Sequence, residues 1–158
     1  MMNAELQELL RNEWRAFKAP PSANLRAIER ECGRAAFLTF ADVAPMSVDT
    51  QCPGFEAATP LFDLAPRDAA CYLGTFLIAL LESLDYQQQT GLHDDIFTRP
   101  HTLSFLMDDN TGALIREQLS PSQAHAVREV VKFLVSNAEL LYLAVDEVKS
   151  LVKLSLDR

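Results

Sequence analysis

Apolar residues recur at intervals of three and four along most of the chain, which is the spacing of one face of an α-helix. Leucine and alanine are frequent, glycine is scarce at five residues, and long β-branched runs are absent. We therefore predict an all-α fold, a single-domain bundle of about five or six helices over residues 1–158. The main predicted helices cover residues 3–18, 25–40, 66–86, 121–136 and 138–154.

The helix that begins at Pro66 has the widest apolar face and is expected to be central. Proline suits the first helical position, and Asp68 places negative charge in the first turn, where the helix dipole favours it. The apolar stretch CYLGTFLIALL within it is about half of a membrane span and indicates a buried helix. The predicted inward positions are Ala69, Tyr72, Leu73, Phe76, Leu77, Leu80, Leu81 and Leu84.

The stretch LSPSQAHAVREVVKFL, residues 119–134, combines a helix start with an apolar stripe. Ser120 and Gln123 have the spacing of a capping box, in which each side chain bonds the other residue's backbone N–H. His125 lies off the stripe and should face water. We expect helices 121–136 and 138–154 to pack as a hairpin against the helix from Pro66, with Val145, Val148, Leu151 and Val152 among the inward residues of the second.

Two regions break the helical period. Gly33 weakens the helix predicted at 25–40, and the stretch AAFLTF within it would also fit a short strand. Residues 41–65 contain three prolines and a glycine, which predicts a long irregular loop between the second and third helices, or a short helical turn between two loops. Loops of this length in compact domains are often functional.

The formal net charge of −8 is concentrated in the middle of the chain. Residues 42–120 hold twelve acidic and three basic residues, whereas residues 1–41 carry +1 and residues 121–158 are neutral. Such a field repels nucleic-acid phosphates and anionic membranes and speeds encounter with a basic protein. The alternative is that the acidic loops only keep the protein soluble. The predicted contact residues for a basic partner are Asp42, Asp49, Glu56, Asp63, Asp94, Asp95, Asp108 and Asp109.

Motifs that carry chemistry are weak or missing. Phosphate-binding glycine loops, nucleophile elbows and zinc-helix motifs are not found in the sequence. The stretch DDNTG from Asp108 resembles the start of a calcium loop, but Leu119 stands where the loop needs glutamate. We therefore expect no catalytic residue, cofactor or metal. The alternative is a small metal-dependent enzyme using His93, Asp94, Asp95 and His101, or a thiol enzyme using Cys52.

Cys32, Cys52 and Cys71 are an odd, widely spaced set, which fits free thiols in a reducing cytoplasm. Cys32 and Cys71 fall on or beside apolar stripes and should be core thiols, whereas Cys52 should be exposed. The first residues lack the apolar run of a signal peptide, so the expected location is cytoplasmic.

Two segments, LFDLAPRDAACYLGTFLIALLE and LSPSQAHAVREVVKFLVSNAELL, resemble an uncharacterised bacterial family of small helical proteins. The second segment matches better, at Leu119, Gln123, Ala126 and Val127, whereas Ala65 replaces an expected threonine cap in the first. These are capping and core positions, so the resemblance implies a helical fold and no catalytic residue.

In character the protein is similar to immunity proteins, which neutralise a toxin by covering it. A toxin that acts on nucleic acid is basic, so an acidic surface would suit it. The expected function is thus a non-catalytic protein-binding module, most simply an immunity protein. The alternatives are the enzyme described above and an adaptor or regulator. Apolar area on the last helix would also allow a homodimer.

Overall fold

The computed structural model describes residues 1–57, 64–91, 108, 110–139 and 143–156, apart from the side chains of residues 56, 57, 155 and 156. These ranges contain eight α-helices, two short 3-10 helices at Ser22–Leu25 and Pro45–Ser47, and no strand. The all-α prediction is confirmed, and the count of five or six helices was too low. The α-helices are α1 (Asn3–Trp14), α2 (Arg26–Cys32), α3 (Arg34–Phe40), α4 (Pro53–Ala57), α5 (Pro66–Thr90), α6 (Thr111–Arg116), α7 (Pro121–Ser136) and α8 (Val145–Leu156).

Helix α5 is the central helix, as predicted. All eight of its predicted inward residues are buried, and every residue from Tyr72 to Leu81 is shielded from solvent. Burial on all sides explains why its apolar face is so wide. The helix continues four residues beyond the predicted end and stops at Gly91, whose φ of 70° provides a left-handed C-cap.

Helix α5 is also long and apolar enough to cross a membrane by length and composition, with a mean hydropathy of 1.3 over its best window. However, 78% of that window is buried inside the protein. The core helix of a bundle passes the same test of composition, because burial in protein and burial in lipid select the same side chains.

Helix α1 lies antiparallel to α5 and is fixed at both ends by side-chain hydrogen bonds. Near its start Asn3 Nδ2 donates to the Leu81 carbonyl at 2.8 Å, and at its end Trp14 Nε1 donates to the Ala70 carbonyl at 2.9 Å. Asparagine is a common capping residue, but Asn3 is buried in the first turn of α1 and its side-chain amide bonds α5 instead. The helix also ends at Trp14 rather than near residue 18.

The predicted helix 25–40 is two helices, and the alternative of a short strand is wrong. Gly33 separates α2 from α3 with a φ of 97°, a conformation that residues with a Cβ rarely adopt. Residues 35–40, the site of the strand alternative, lie within helix α3. The glycine that weakened the prediction is therefore the point at which the chain changes direction.

The long loop was predicted over residues 41–65, but its described part contains a 3-10 turn at Pro45–Ser47 and the short helix α4. The 3-10 turn at Pro45–Ser47 is held to α5 by Thr75 Oγ1, which donates to the Pro45 carbonyl at 2.8 Å in the core. Helix α4 brings Phe55 into an aromatic cluster, with ring centroids 5.9 Å from Phe40 and 4.9 Å from Phe76. Aromatic packing therefore anchors this segment where helical periodicity is missing.

Helices α7 and α8 form the predicted hairpin, but α7 packs chiefly on α1 and α8 rather than on α5. The capping box at Ser120 and Gln123 is confirmed, with both reciprocal bonds present. Helix α8 begins at Val145 rather than near residue 138, and Leu151 is its buried anchor. The prediction that Val145 and Val152 point inward was wrong, since they are 72% and 39% exposed.

Candidate acidic binding surface

Asp42 lies at the turn that follows α3 and is exposed. Its φ of 61° places it in the left-handed region, the single such non-glycine residue in the described part of the chain. Aspartate tolerates this conformation better than most residues because its short polar side chain can bond locally. The turn therefore directs the Asp42 carboxylate outward, while Phe40, two residues earlier, is buried in the core.

Asp49 and Glu82 are linked through Gln51, whose backbone N–H bonds Asp49 and whose side chain bonds Glu82. The Asp49 carboxylate accepts a bond from the Gln51 backbone N–H at 2.9 Å. Gln51 Nε2 and Thr50 Oγ1 in turn donate to the two carboxylate oxygens of Glu82 on α5, at 3.0 and 3.3 Å. These donors hold both carboxylates in place without neutralising their charge. Glu82 was not among the predicted contact residues, and no local pattern could have identified it because its partners lie about thirty positions away.

Asp108 has a structural role in addition to its predicted one. Its carboxylate accepts bonds from the backbone N–H groups of Thr111 and Gly112 at 2.6 and 3.1 Å, so it caps the start of α6. These backbone bonds, led by that from Gly112, lower the pKa of the Asp108 carboxyl below its ordinary value. Asp108 is therefore a fixed negative charge, half-exposed at the surface.

The other predicted contact residues fall outside what the structure describes. Glu56 belongs to α4, but its side chain is outside the described set. Asp63, Asp94, Asp95 and Asp109 lie outside the described residues altogether, as do His93 and His101 of the alternative metal site. The structure thus places three of the eight predicted carboxylates, with Asp42 and Asp49 on the segment between α3 and α4 and Asp108 before α6.

Ion pairs are distributed unevenly among the described residues. Glu29 pairs with Arg26 at 3.1 Å and with Arg34 at 2.8 Å, and Glu129 pairs with Lys132 at 2.9 Å. Both of these acids lie outside 42–120. Within that range, no described carboxylate lies within 4 Å of a described basic group. The carboxylates without a described basic partner are Asp42, Asp49, Asp68, Glu82, Asp85, Asp108 and Glu117.

The described neighbours of Cys52 and Cys71 do not activate either thiol as a nucleophile. All three are half-buried, which corrects the predicted contrast between two core thiols and an exposed Cys52. Cys52 Sγ donates to the Asp49 carbonyl at 3.3 Å and lies 3.7 Å from Thr39 Oγ1, and neither neighbour is a base. Burial, with the nearby Asp68 carboxylate, raises the pKa of Cys71 and keeps it a neutral thiol.

The described residues also offer few centres for metal or small-molecule chemistry. No three of their histidine, cysteine and acidic side chains are close enough to hold a metal ion together. His125 is exposed on α7, as predicted. A groove of about 760 Å³ lies where the segment after α1 meets the start of α5, and it is lined by both Lys18 and Arg67 and by Asp68. These opposite charges do not define one class of ligand.

No family model, no curated protein and no solved structure matches this chain.

Proposed function

We propose that this protein is a non-catalytic binding module, an immunity-type inhibitor that covers a basic protein partner with its acidic surface. The observation that carries the proposal is the uneven pairing of carboxylates described above. Outside residues 42–120, Glu29 and Glu129 are held in ion pairs. Inside that range, no described acid has a described basic partner. Unneutralised carboxylates create the long-range field that accelerates association with a cation-rich surface.

The contact surface is centred on Asp42, Asp49 and Glu82. Asp42 and Asp49 are exposed, and Asp49 and Glu82 are held by neutral hydrogen-bond donors. A carboxylate held in place beforehand loses little side-chain entropy when it meets a partner, so more of its attraction remains as affinity. The segment that carries Asp42 and Asp49 is fixed to α5 by Thr75, so the surface exists before binding.

The test uses the protein encoded beside the gene for this chain, purified with and without it. We expect the two to co-purify and the isolated partner to be toxic. The Asp42→Asn/Asp49→Asn variant should associate about tenfold more slowly at low salt and show a weaker salt dependence, because rim charges act mainly on the association rate.

A matched control separates local charge from net charge. Glu31 and Glu139 are exposed, lie outside 42–120 and have no ion pair within the described residues. The Glu31→Gln/Glu139→Gln variant changes the net charge equally and should associate at nearly the normal rate. Equal slowing in both variants would show that only overall charge matters. The absence of any complex with the neighbouring protein would reject the immunity proposal.

A further inference from the structure

A small pocket lies between α1, the segment after α3, and α5, next to Glu82 of the acidic surface. Its volume is about 110 Å³, roughly that of four water molecules in the liquid. A separate organic ligand usually needs a cleft of roughly 300 Å³ or more, so this pocket has room only for the end of one side chain of a partner. The described residues that line it include Arg11, Met46, Thr50, Thr75 and Glu82.

The two hydroxyl groups that line the pocket have already committed their hydrogens. Thr50 Oγ1 donates to a carboxylate oxygen of Glu82 at 3.3 Å, and Thr75 Oγ1 donates to the Pro45 carbonyl at 2.8 Å. A hydroxyl group has one hydrogen to donate and two lone pairs that accept, so each of these oxygens can still accept a bond but has none left to give. The pocket therefore presents acceptors to whatever enters it.

Glu82 adds a negative charge with acceptor capacity to spare. Gln51 Nε2 bonds its second carboxylate oxygen at 3.0 Å, so neutral donors hold the group and leave further lone pairs open. No described basic group lies within 4 Å of the Glu82 carboxylate. Arg11 lines the same pocket, but its Nη2 donates to Gln7 Oε1 on its own helix at 3.2 Å. Glu82 is thus held in position and is not neutralised.

We propose that this pocket receives one arginine side chain of the basic partner, an inference that rests on the binding function proposed above. The guanidinium group has five N–H donors in one plane and no acceptor, which matches a pocket whose free groups accept. Glu82 supplies the opposite charge, and the oxygens of Thr50 and Thr75 supply further acceptors. A lysine ammonium group is more strongly hydrated and has fewer donors, so it fits this pocket less well.

Arg11 competes with the incoming arginine. Its positive charge lies at the same pocket, so it repels a second cation and partly offsets the charge of Glu82. The Arg11→Gln variant should therefore bind the partner about two- to fivefold more tightly, the usual size of an exposed charge interaction. Weaker binding by this variant would show that Arg11 is itself part of the contact and would overturn the proposal.

The first test needs no partner protein. N-acetyl-arginine amide and N-acetyl-citrulline amide have side chains of similar size and shape, but the citrulline side chain is uncharged. Each compound is titrated into the isotopically labelled full chain, and the backbone amide signals of Thr50, Gln51 and Thr75 are followed by NMR. We expect saturable shifts with the arginine compound at millimolar concentration. Equal shifts with the citrulline compound, or no shifts with either, would overturn the proposal.

A matched pair of variants ties the titration to the pocket. Glu82→Gln should abolish the shifts because it removes the charge that holds the guanidinium group. Asp85→Asn makes the same change in net charge three residues along α5, at a residue that does not line the pocket, and should retain them. Loss of the shifts in both variants would assign the effect to overall charge and reject the pocket.

The second test uses the complex with the protein encoded beside this gene. Glu82→Gln should raise the dissociation rate at least about tenfold, because truncating a buried charge pair acts mainly on dissociation. Asp85→Asn should change that rate by less than about twofold. If the complex forms and both variants dissociate alike, the pocket inference fails while the binding function stands. If no complex forms, the binding function fails and the partner's arginine fails with it.

Discussion

The indole ring of Trp14 lies directly on the backbone of α5 at Gly74. A Cβ built on Gly74 would come within 2.6 Å of two ring carbons, and Trp14 is fully buried. Glycine therefore occurs in the middle of the central helix because the Trp14 ring occupies the space that a Cβ would need. Four residues earlier, the Ala70 carbonyl accepts the indole N–H, which fixes the ring in this position.

Gly74→Ala should destabilise the protein by about 1–3 kcal/mol, because the added methyl group overpacks the contact with Trp14. In an exposed helix, replacing glycine by alanine would stabilise the protein by about 1 kcal/mol. The contact with Trp14 therefore determines whether Gly74→Ala stabilises or destabilises. The measurement is the free energy of unfolding in urea. It compares Gly74→Ala with Gln89→Ala, a change on the exposed end of α5. In the Trp14→Phe background, Gly74→Ala should cost less stability, because the smaller phenylalanine ring leaves room for the added methyl group. A Gly74→Ala variant as stable as the original chain would disprove the close contact.

Gln123 should contribute more to stability than its partner in the capping box. Its Oε1 accepts the Ser120 N–H at 2.9 Å, while its Nε2 donates to the Glu13 carbonyl at 3.1 Å and so joins α7 to α1. We expect Ser120→Ala to cost about 1 kcal/mol, the usual loss of a cap. Gln123→Ala should cost more, because it also leaves a partly buried carbonyl without its donor.

Gln123→Glu separates the two contributions. The carboxylate retains the acceptor for the Ser120 N–H but loses the donor to Glu13. It should therefore be less stable than the original chain in urea unfolding. If Gln123→Glu and the original chain unfold at the same urea concentration, the bond from Gln123 to the Glu13 carbonyl contributes nothing to stability.

The conformation of Asp42 predicts an order among its variants. Because its φ is 61°, Asp42→Ala should destabilise by about 1 kcal/mol, whereas Asp42→Asn and Asp42→Gly should be nearly neutral or slightly stabilising. Thermal unfolding of the three variants measures this order. It also shows that Asp42→Asn is the correct substitution for a binding test, since it removes charge while keeping the turn. An Asp42→Ala variant as stable as Asp42→Asn would contradict the left-handed turn.

Asp108 should make stability depend on pH under acid conditions. Its folded pKa is lower than the ordinary value of 3.8, so the folded protein favours the ionised form. The resulting stabilisation is fully present above the unfolded pKa and is lost as the pH falls through the folded pKa. Asp108→Asn keeps an oxygen acceptor for the amides of α6 but cannot titrate. Its unfolding free energy should therefore fall less steeply than that of the original chain as the pH drops below about 4. Parallel pH profiles would contradict a role for the ionised carboxylate.

Features that depend on neighbouring residues were predictable from the sequence. The helix from Pro66 and its inward face follow from a long run of apolar residues at helical spacing, and the start of α7 follows from Ser120 and Gln123. Both signals act over one or two turns, so they do not require knowledge of the fold. The three placed carboxylates were predicted as charges, although the capping role of Asp108 was not.

Features that depend on distant residues needed the tertiary structure. Asn3 has the composition of a cap, yet it bonds Leu81 because α1 lies antiparallel to α5. Glu82 joins Asp49 through Thr50 and Gln51 only because the segment after α3 runs along α5. The exposed face of α8 depends on which side packs on α7. A hydrogen bond or a contact between residues thirty to eighty positions apart leaves no local pattern, so the sequence determined the helices and their charges while packing determined what each face meets.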